Sequence, residues 1–359
     1  MKKYRVAVIG VAQMHITTIA QSFSKSGRVE WVGCSDLPLP FETIADKPSS
    51  KKHLIPQLMQ ENNIPRFFAD WRDLLAEKPD ILLLATENTR HAEVAVEALN
   101  QGIHVLIEKP FAACYEDAKA MVEAADKSGA TLFINWPTGW DPAIRTALRL
   151  VREGIIGRPI KFHYRNMESL GPFSYGQGLT PEEMAAEWWY HGEFGGGALL
   201  DYICYGCNLS RLFLGKKATS AVALAKNLVS DFAPVEDHVA ATLDFGDSIA
   251  VLEGTWATFA SGCVDTGPVI FGDKGTIVAN RLAPEVRIYT ERHIKEPSRI
   301  VPADPLPEGR EDIAPEFFRT IETGLPPFEA FEAHINLEAM SALDAVRRAA
   351  GSGKIEELK

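Results

Sequence analysis

Two short runs, Ile81-Leu82-Leu83-Leu84-Ala85 and His104-Val105-Leu106-Ile107, constrain this chain more than any other feature. Both are too short for a buried helix and lack a polar side to turn toward water, so each reads as a strand buried on both faces. Between them His91 to Asn100 has helical spacing, with Thr89 placed as an N-cap and Gly102 as a C-cap. Strand, helix, strand of this kind is a parallel unit, and ligands of open parallel sheets sit at the carboxyl ends of the strands. The first run ends there in Thr86-Glu87-Asn88, with His91 just beyond, and the second in Glu108-Lys109-Pro110. Thr86, Asn88, His91, Glu108 and Lys109 are therefore candidates for contact with a bound cofactor, and Lys109 points into the crevice.

The start of the chain adds the other half of such a crevice. Arg5 to Ile9 is an apolar, β-branched strand, followed by Gly10-Val11-Ala12-Gln13-Met14-His15 and a helical stretch to about Ser26. Strand, tight turn and helix are the context of a dinucleotide fingerprint. Gly10 fills the first glycine position, Ala12 stands at the second and His15 at the third. Backbone amides of the turn, including those of Gln13 and Met14, suffice to hold a pyrophosphate, because a helix N-terminus needs no side chain for it. The next strand, Val29 to Ser35, ends at Asp36, roughly twenty residues past the glycine turn, where an acid binds the adenine ribose hydroxyls. Leu37 and Pro38 follow with no Arg to neutralise a 2′-phosphate, which favours NAD over NADP.

The remainder of this half reads as a loop over Phe41 to His53, helices over Leu54 to Glu61 and Asp70 to Glu77, a helix past Pro110 with Ala118, Met121, Val122 and Ala125 on one face, and a strand over Thr131 to Asn135. The domain boundary is placed there, giving domains 1–135 and 136–359. After a helix over Asp141 to Glu153, strands recur without intervening helices at Ile160–Asn166, Ala218–Asn227, His238–Phe245, Ile249–Thr258, Val269–Phe271 and Thr276–Ala279. Such a succession argues for a largely antiparallel sheet. Gly195-Gly196-Gly197 opens a helix in which Asp201 and Tyr205, four apart, share a face. Helices near Pro315–Glu322 and Ile335–Ala350 close the chain and are expected to pack back on the first domain.

A formal net charge of -11 disfavours a nucleic-acid partner. No apolar run approaches a membrane span, and Val6 to Gly10 is too short for a signal core, so a cytoplasmic location is expected. Five scattered cysteines read as reduced thiols; Cys204 and Cys207 have CxxC spacing inside an apolar helix, where packing is the expected role and no metal site is expected.

Together these features resemble the Gfo/Idh/MocA family of NAD(P)-dependent sugar and polyol oxidoreductases. The resemblance runs through nearly the whole chain. It is most specific at His104-Val105-Leu106-Ile107-Glu108-Lys109-Pro110-Phe111, at Gly195-Gly196-Gly197-Ala198-Leu199-Leu200-Asp201, and at Gly272-Asp273-Lys274-Gly275-Thr276. It implies an α/β fold: an N-terminal Rossmann domain with a parallel sheet, then a C-terminal α/β domain with a large, mainly antiparallel open sheet. One face of that sheet would serve a homodimer or homotetramer. It implies Lys109 as the catalytic lysine, Asp201 as an active-site aspartate and a cis bond at Lys109-Pro110. Tyr205 stands where many members have His, a pattern similar to the glucose–fructose oxidoreductase and dihydrodiol dehydrogenase branch, where the tyrosine is taken as catalytic. Ala12 and His15 depart from the family's glycines, and Glu87 stands where a proline is usual.

The chemistry implied is oxidation of a sugar or polyol hydroxyl: a base takes the proton while hydride moves to NAD. A free tyrosine, with a pKa of about 10, is a poor base at neutral pH, and a neighbouring ammonium favours its phenolate. Tyr205 is thus the expected proton acceptor with Lys109 tuning it, Lys109 itself being the other choice, and Asp201 positions the substrate. Trp136, Trp188, Tyr190 and His191 are candidates for the substrate wall alongside Trp140 and Trp189, His15 for the nicotinamide or substrate side, and His238 for a more distant contact. Two further readings stay open: a redox-assisted glycoside hydrolase with tightly held NAD, and a non-catalytic NAD- or sugar-sensing regulator.

Overall fold

The computed structural model describes residues 2–47, 50–166, 178–258, 267–280 and 282–359. Its N-terminal strands are β1 (Tyr4–Ile9), β2 (Val29–Ser35), β3 (Phe67–Phe68), β4 (Ile81–Leu84), β5 (His104–Glu108) and β6 (Leu132–Asn135). They form one sheet in the order β3-β2-β1-β4-β5-β6, with every neighbouring pair parallel. All four residues of β4 are fully buried, the reason its run carries no polar side. The helix His15–Lys25 buries Ile16, Ile19, Ala20 and Phe23, and Tyr115–Ser128 buries Ala118, Met121, Val122 and Ala125, each an apolar stripe at helical spacing. This is a Rossmann sheet, and its strand order reverses between β1 and β4.

Two local expectations change. The helix expected from Leu54 begins at Lys51 and runs to Asn62, shortening the loop before it. Thr89 does not cap the helix His91–Asn100: a 3₁₀ turn, Asn88–Arg90, precedes that helix with Arg90 already helical, and the Thr89 hydroxyl donates to the Glu193 carbonyl at 3.0 Å.

The chain divides into two compact units. The first comprises Met1–Asn135, Gly178–Gly196 and Glu308–Leu337, and the second Trp136–Gln177, Gly197–Pro307 and Glu338–Lys359. In the first, the helix Ile313–Thr323 lies against His15–Lys25, where Phe23 meets Phe317 and Phe318 at 5.9 and 5.3 Å and Tyr4 stacks on Phe318 at 5.1 Å.

The second unit holds a nine-stranded sheet. Its strands are β7 (Pro159–Asn166), β8 (Ser220–Lys226), β9 (His238–Asp244), β10 (Ile249–Thr255), β11 (Val269–Gly272), β12 (Thr276–Asn280), β13 (Glu285–Tyr289), β14 (Arg299–Pro302) and β15 (Glu356–Glu357). The order is β14-β13-β12-β11-β7-β10-β9-β8-β15, antiparallel except for β7 beside β10. A row in register across it, Ala221, Leu243, Ala250, Phe162, Ile270, Ile277 and Ile288, is buried throughout. The helices Pro142–Arg152 and Cys204–Leu214 pack on this sheet. The opposite face leaves Val222, Leu224, Ile249 and Ile300 exposed. No described helix is long and apolar enough to cross a membrane.

Candidate active site

The first unit builds a crevice at its strand reversal. Gly10 adopts φ +88°, and a Cβ there would lie 2.4 Å from the Thr86 nitrogen, so only glycine lets the turn approach β4 this closely. The Ala12 amide then donates to the Ala85 carbonyl at 2.8 Å. The helix that follows has Met14 at its N-cap without a side-chain cap bond and no acid in its first turn, leaving its positive end to an external anion. The buried Thr86 hydroxyl has no hydrogen-bond partner, and Gln13 Nε2 reaches Asn88 Oδ1 at 3.5 Å. Asn88 also donates to the Gly195 carbonyl at 2.7 Å. A close-approach turn, an uncapped helix end and an unpartnered hydroxyl at the β4 terminus fit a dinucleotide.

His91 is buried with Nε2 3.1 Å from the Thr86 carbonyl and Nδ1 3.3 Å from that of Phe111. Burial outweighs those contacts and holds its pKa below the ordinary value. Placed so, it braces the β4 end from behind.

At the β2 end the charge pattern differs from the sequence reading. Asp36 accepts from the Val11 amide at 3.3 Å, and Lys51 lies 3.0 Å from its Oδ2. The same ammonium pairs with Glu87, which is fully buried. Burial disfavours the Lys51 charge, but the two carboxylates prevail and raise its pKa. Burial and nearby Glu87 push the Asp36 carboxyl up against the pull of Lys51. A cation does therefore stand on Asp36, the acid expected to read the ribose. Lys51 lies 15 residues along the chain from Asp36, so only the fold brings the two together.

Lys109 is buried at the end of β5, its bond to Pro110 is cis, and its amide donates to Glu108 Oε2 at 3.3 Å. Glu108, itself fully buried, accepts from Asn135 at 2.7 Å and pairs with His15 Nδ1 at 3.0 Å. Burial would raise its pKa, but His15, Asn135 and Lys109 outweigh burial and lower it. His15, at the third glycine position, is thus tied to the Glu-Lys-Pro stretch, with about a third of its side chain exposed.

The segment Gly178–Gly196 is also part of the first unit. Trp188 is buried and its Nε1 donates to the Ala12 carbonyl at 3.1 Å. Tyr190 is buried with its hydroxyl on Met184 Sδ at 3.7 Å. His191 stacks on Phe41 at 4.2 Å and places Nε2 2.8 Å from the Ala185 carbonyl. Trp188 joins Ala12 and Phe194 in an apolar cluster beside the glycine turn, with Leu39, Phe41 and Trp189 packed against it. Burial pushes the neighbouring Glu187 carboxyl up to about 7, with Lys51 opposing.

In the second unit, Leu199–Ile203 is one turn of π-helix that passes into Cys204–Leu214. Such turns recur at functional sites. Asp201 lies in the π turn, and Trp256 Nε1 donates to its Oδ2 at 3.0 Å. Tyr205 follows in the α-helix with Trp136 edge-on at 5.3 Å. Glu236 accepts from the Leu199 amide at 2.9 Å, and a Cβ on Gly197 (φ +105°) would lie 2.3 Å from Glu236 Oε1. Trp256 and Glu236 carried no motif that would have marked them. His238 pairs with Asp237 at 2.6 Å, and that carboxylate also accepts from the Leu228, Val229 and Ser230 amides. Cys204 and Cys207 are buried thiols with no disulfide between them. Among the described residues no group of three or more His, Cys, Asp and Glu is arranged to hold a metal.

Residues 4–136 match a profile described as an oxidoreductase family with an NAD-binding Rossmann fold, and residues 144–278 match the GFO/IDH/MocA C-terminal domain. The chain belongs to the Gfo/Idh/MocA family. Among its Gfo/Idh/MocA relatives, 1,5-anhydro-D-fructose reductase of Ensifer adhaerens is 28% identical over 249 residues, 68% of this chain and 71% of that one. D-xylose 1-dehydrogenase [NADP(+)] of Haloarcula marismortui is 33% identical over 168 residues, 46% of this chain and 44% of that one. A levoglucosan dehydrogenase solved with NADH and levoglucosan has the same fold, with a TM-score of 0.78 at 19% identity over 99% of this chain and 100% of that one. The aldose-aldose oxidoreductase of Caulobacter crescentus, solved with glycerol, gives a TM-score of 0.76 at 21% identity over the same shares.

Proposed function

We propose that this chain transfers a hydride between a hydroxyl-bearing carbon of a sugar, polyol or sugar derivative and NAD. The observation that carries the reading is Lys109, buried and fixed at the carboxyl end of β5 in the sheet whose glycine turn fits a dinucleotide. Bound there, the nicotinamide supplies the hydride acceptor or donor. Gly10 and the uncapped helix end hold the pyrophosphate, and Asp36 accepts from the adenosine ribose. Thr86 and Asn88 line the β4 side. Lys109 orients the reacting hydroxyl and favours its loss of a proton, Tyr205 takes that proton, and Asp201 fixes a second hydroxyl. Trp136 offers an aromatic surface to the apolar face of a sugar ring. Sugar-acting relatives, and solved relatives that hold NADH or a sugar-like ligand, support this reading.

The test is the nicotinamide absorbance change with NAD+ over a panel of sugars and polyols, in wild type and Lys109→Met. Turnover that falls by about a thousandfold or more in the variant while NAD+ binding persists is the expected result. Undiminished turnover in Lys109→Met removes the lysine from the chemistry, and turnover retained in Tyr205→Phe removes the tyrosine.

A further inference from the structure

We propose that Lys51 sets the dinucleotide specificity of this chain: held between Asp36 and Glu87, its ammonium offsets the carboxylates that would repel a 2′-phosphate, so that NADP is accepted as well as NAD. This rests on the reading that the first unit binds a dinucleotide with its adenosine ribose beside Asp36.

A lone acid at the end of β2 accepts hydrogen bonds from ribose hydroxyls and rejects a phosphate by like charge. Here the acid is not alone. Lys51 Nζ stands 3.0 Å from Asp36 Oδ2 and 3.2 Å from Oδ1, and also pairs with Glu87. Arg90 lies 3.5 Å from the other oxygen of Glu87. Two acids are thus matched by two cations, and loss of Lys51 would leave a surplus negative charge. The side chains of Lys51, Asp36 and Glu87 are 12%, 10% and 0% exposed, so solvent screens that surplus poorly. Lys51 opens its helix and carries its charge on a flexible four-carbon stem. A point charge of this kind shifts from a carboxylate to a phosphate without the fixed geometry that a guanidinium fork demands. A third acid in its field, Glu187, is mostly protonated below about pH 7 and leaves the balance there.

The test is isothermal titration of NAD+ and of NADP+ at about pH 6, below the Glu187 transition, into wild type, Lys51→Met and Lys51→Arg. Wild type should bind the two within about tenfold of each other. Lys51→Met should weaken NADP+ by about tenfold or more relative to NAD+, and Lys51→Arg, which keeps the charge on a less adaptable head, should shift the ratio in the same direction by less. An unchanged ratio in Lys51→Met overturns the proposal, whether both affinities fall or neither does. So does a wild type that binds NAD+ and excludes NADP+. If Lys51→Met does not melt cooperatively, Asp36→Asn reads the same balance from the other side: the ratio must move toward NADP+, and a ratio that stays put overturns the proposal. A wild type that binds neither dinucleotide overturns the cofactor reading itself.

Discussion

Trp256 fixes one oxygen of Asp201, the carboxylate proposed to hold a second substrate hydroxyl. Trp256→Phe keeps an aromatic ring there and removes the donor. We expect KM to rise several-fold with a smaller fall in kcat, and stability to drop by about 1 kcal/mol; kinetics indistinguishable from wild type would detach Trp256 from Asp201's role. Glu187 makes a prediction of the opposite sign. Its carboxyl moves from 4.5 to about 7 on folding because burial disfavours its charge. The folded chain therefore keeps a proton that the unfolded chain releases. The destabilisation is absent below pH 4.5, grows as pH rises from 4.5 toward 7, and is complete above that. Glu187→Gln should leave the melting temperature unchanged at about pH 4 and raise it by a few degrees at about pH 8, on the order of 1–2 kcal/mol. An equal shift at both pH values would sink the argument. At this scale the sequence was partly legible. Lys109, Asp201 and Asp36 lie in recognisable strings, whereas Lys51, Glu236 and Trp256 act on residues distant in the chain, and only the fold brings each to its partner.

Two glycines at element junctions test the roles proposed for the two units separately. Gly10→Ala would drive a Cβ into the Thr86 backbone and force an L-residue to φ +88°. It should abolish dinucleotide binding and cost about 1–3 kcal/mol of stability. Gly197→Ala, at φ +105°, would displace the Glu236 carboxylate from the Leu199 amide and release the π turn that carries Asp201. It should abolish turnover while calorimetry still shows dinucleotide binding; loss of binding as well would contradict the assignment of these roles. The elements themselves read unevenly. Uninterrupted runs such as Ile81–Leu84 announce buried strands because no residue needs water. The π turn was invisible: a helix with one extra residue per turn has the same composition as one without. A strict α-helix would align Asp201 and Tyr205, and the π turn sets that relation differently. Glu285–Tyr289 does alternate, Val286 and Ile288 inward, but the strands read from the sequence end at Ala279 and leave it out.

At the scale of the molecule, the nine-stranded sheet turns Val222, Leu224 and Ile249 outward, with Leu224 66% exposed. We propose that this face meets another copy of the chain. Sedimentation should show a dimer or tetramer, and Leu224→Glu should shift it toward monomer with the melting temperature little changed; a monomeric wild type would refute the proposal. The strand directions were implied by the alternation of patterns, parallel where helices intervene and largely antiparallel where they do not; the order of strands in each sheet was not. What no local pattern announces is that Phe23 waits for Phe317 and Phe318, and Ala12 for Trp188. Synthesis proceeds from the N-terminus, so all six parallel strands have left the ribosome long before those partners exist. The nascent sheet must hold Tyr4, Phe23 and Phe133 uncovered until Phe317, Phe318 and Phe331 emerge. The unit that begins first is among the last to be finished, and a nascent chain halted before residue 308 offers an aromatic surface to whatever chaperone or neighbour it meets.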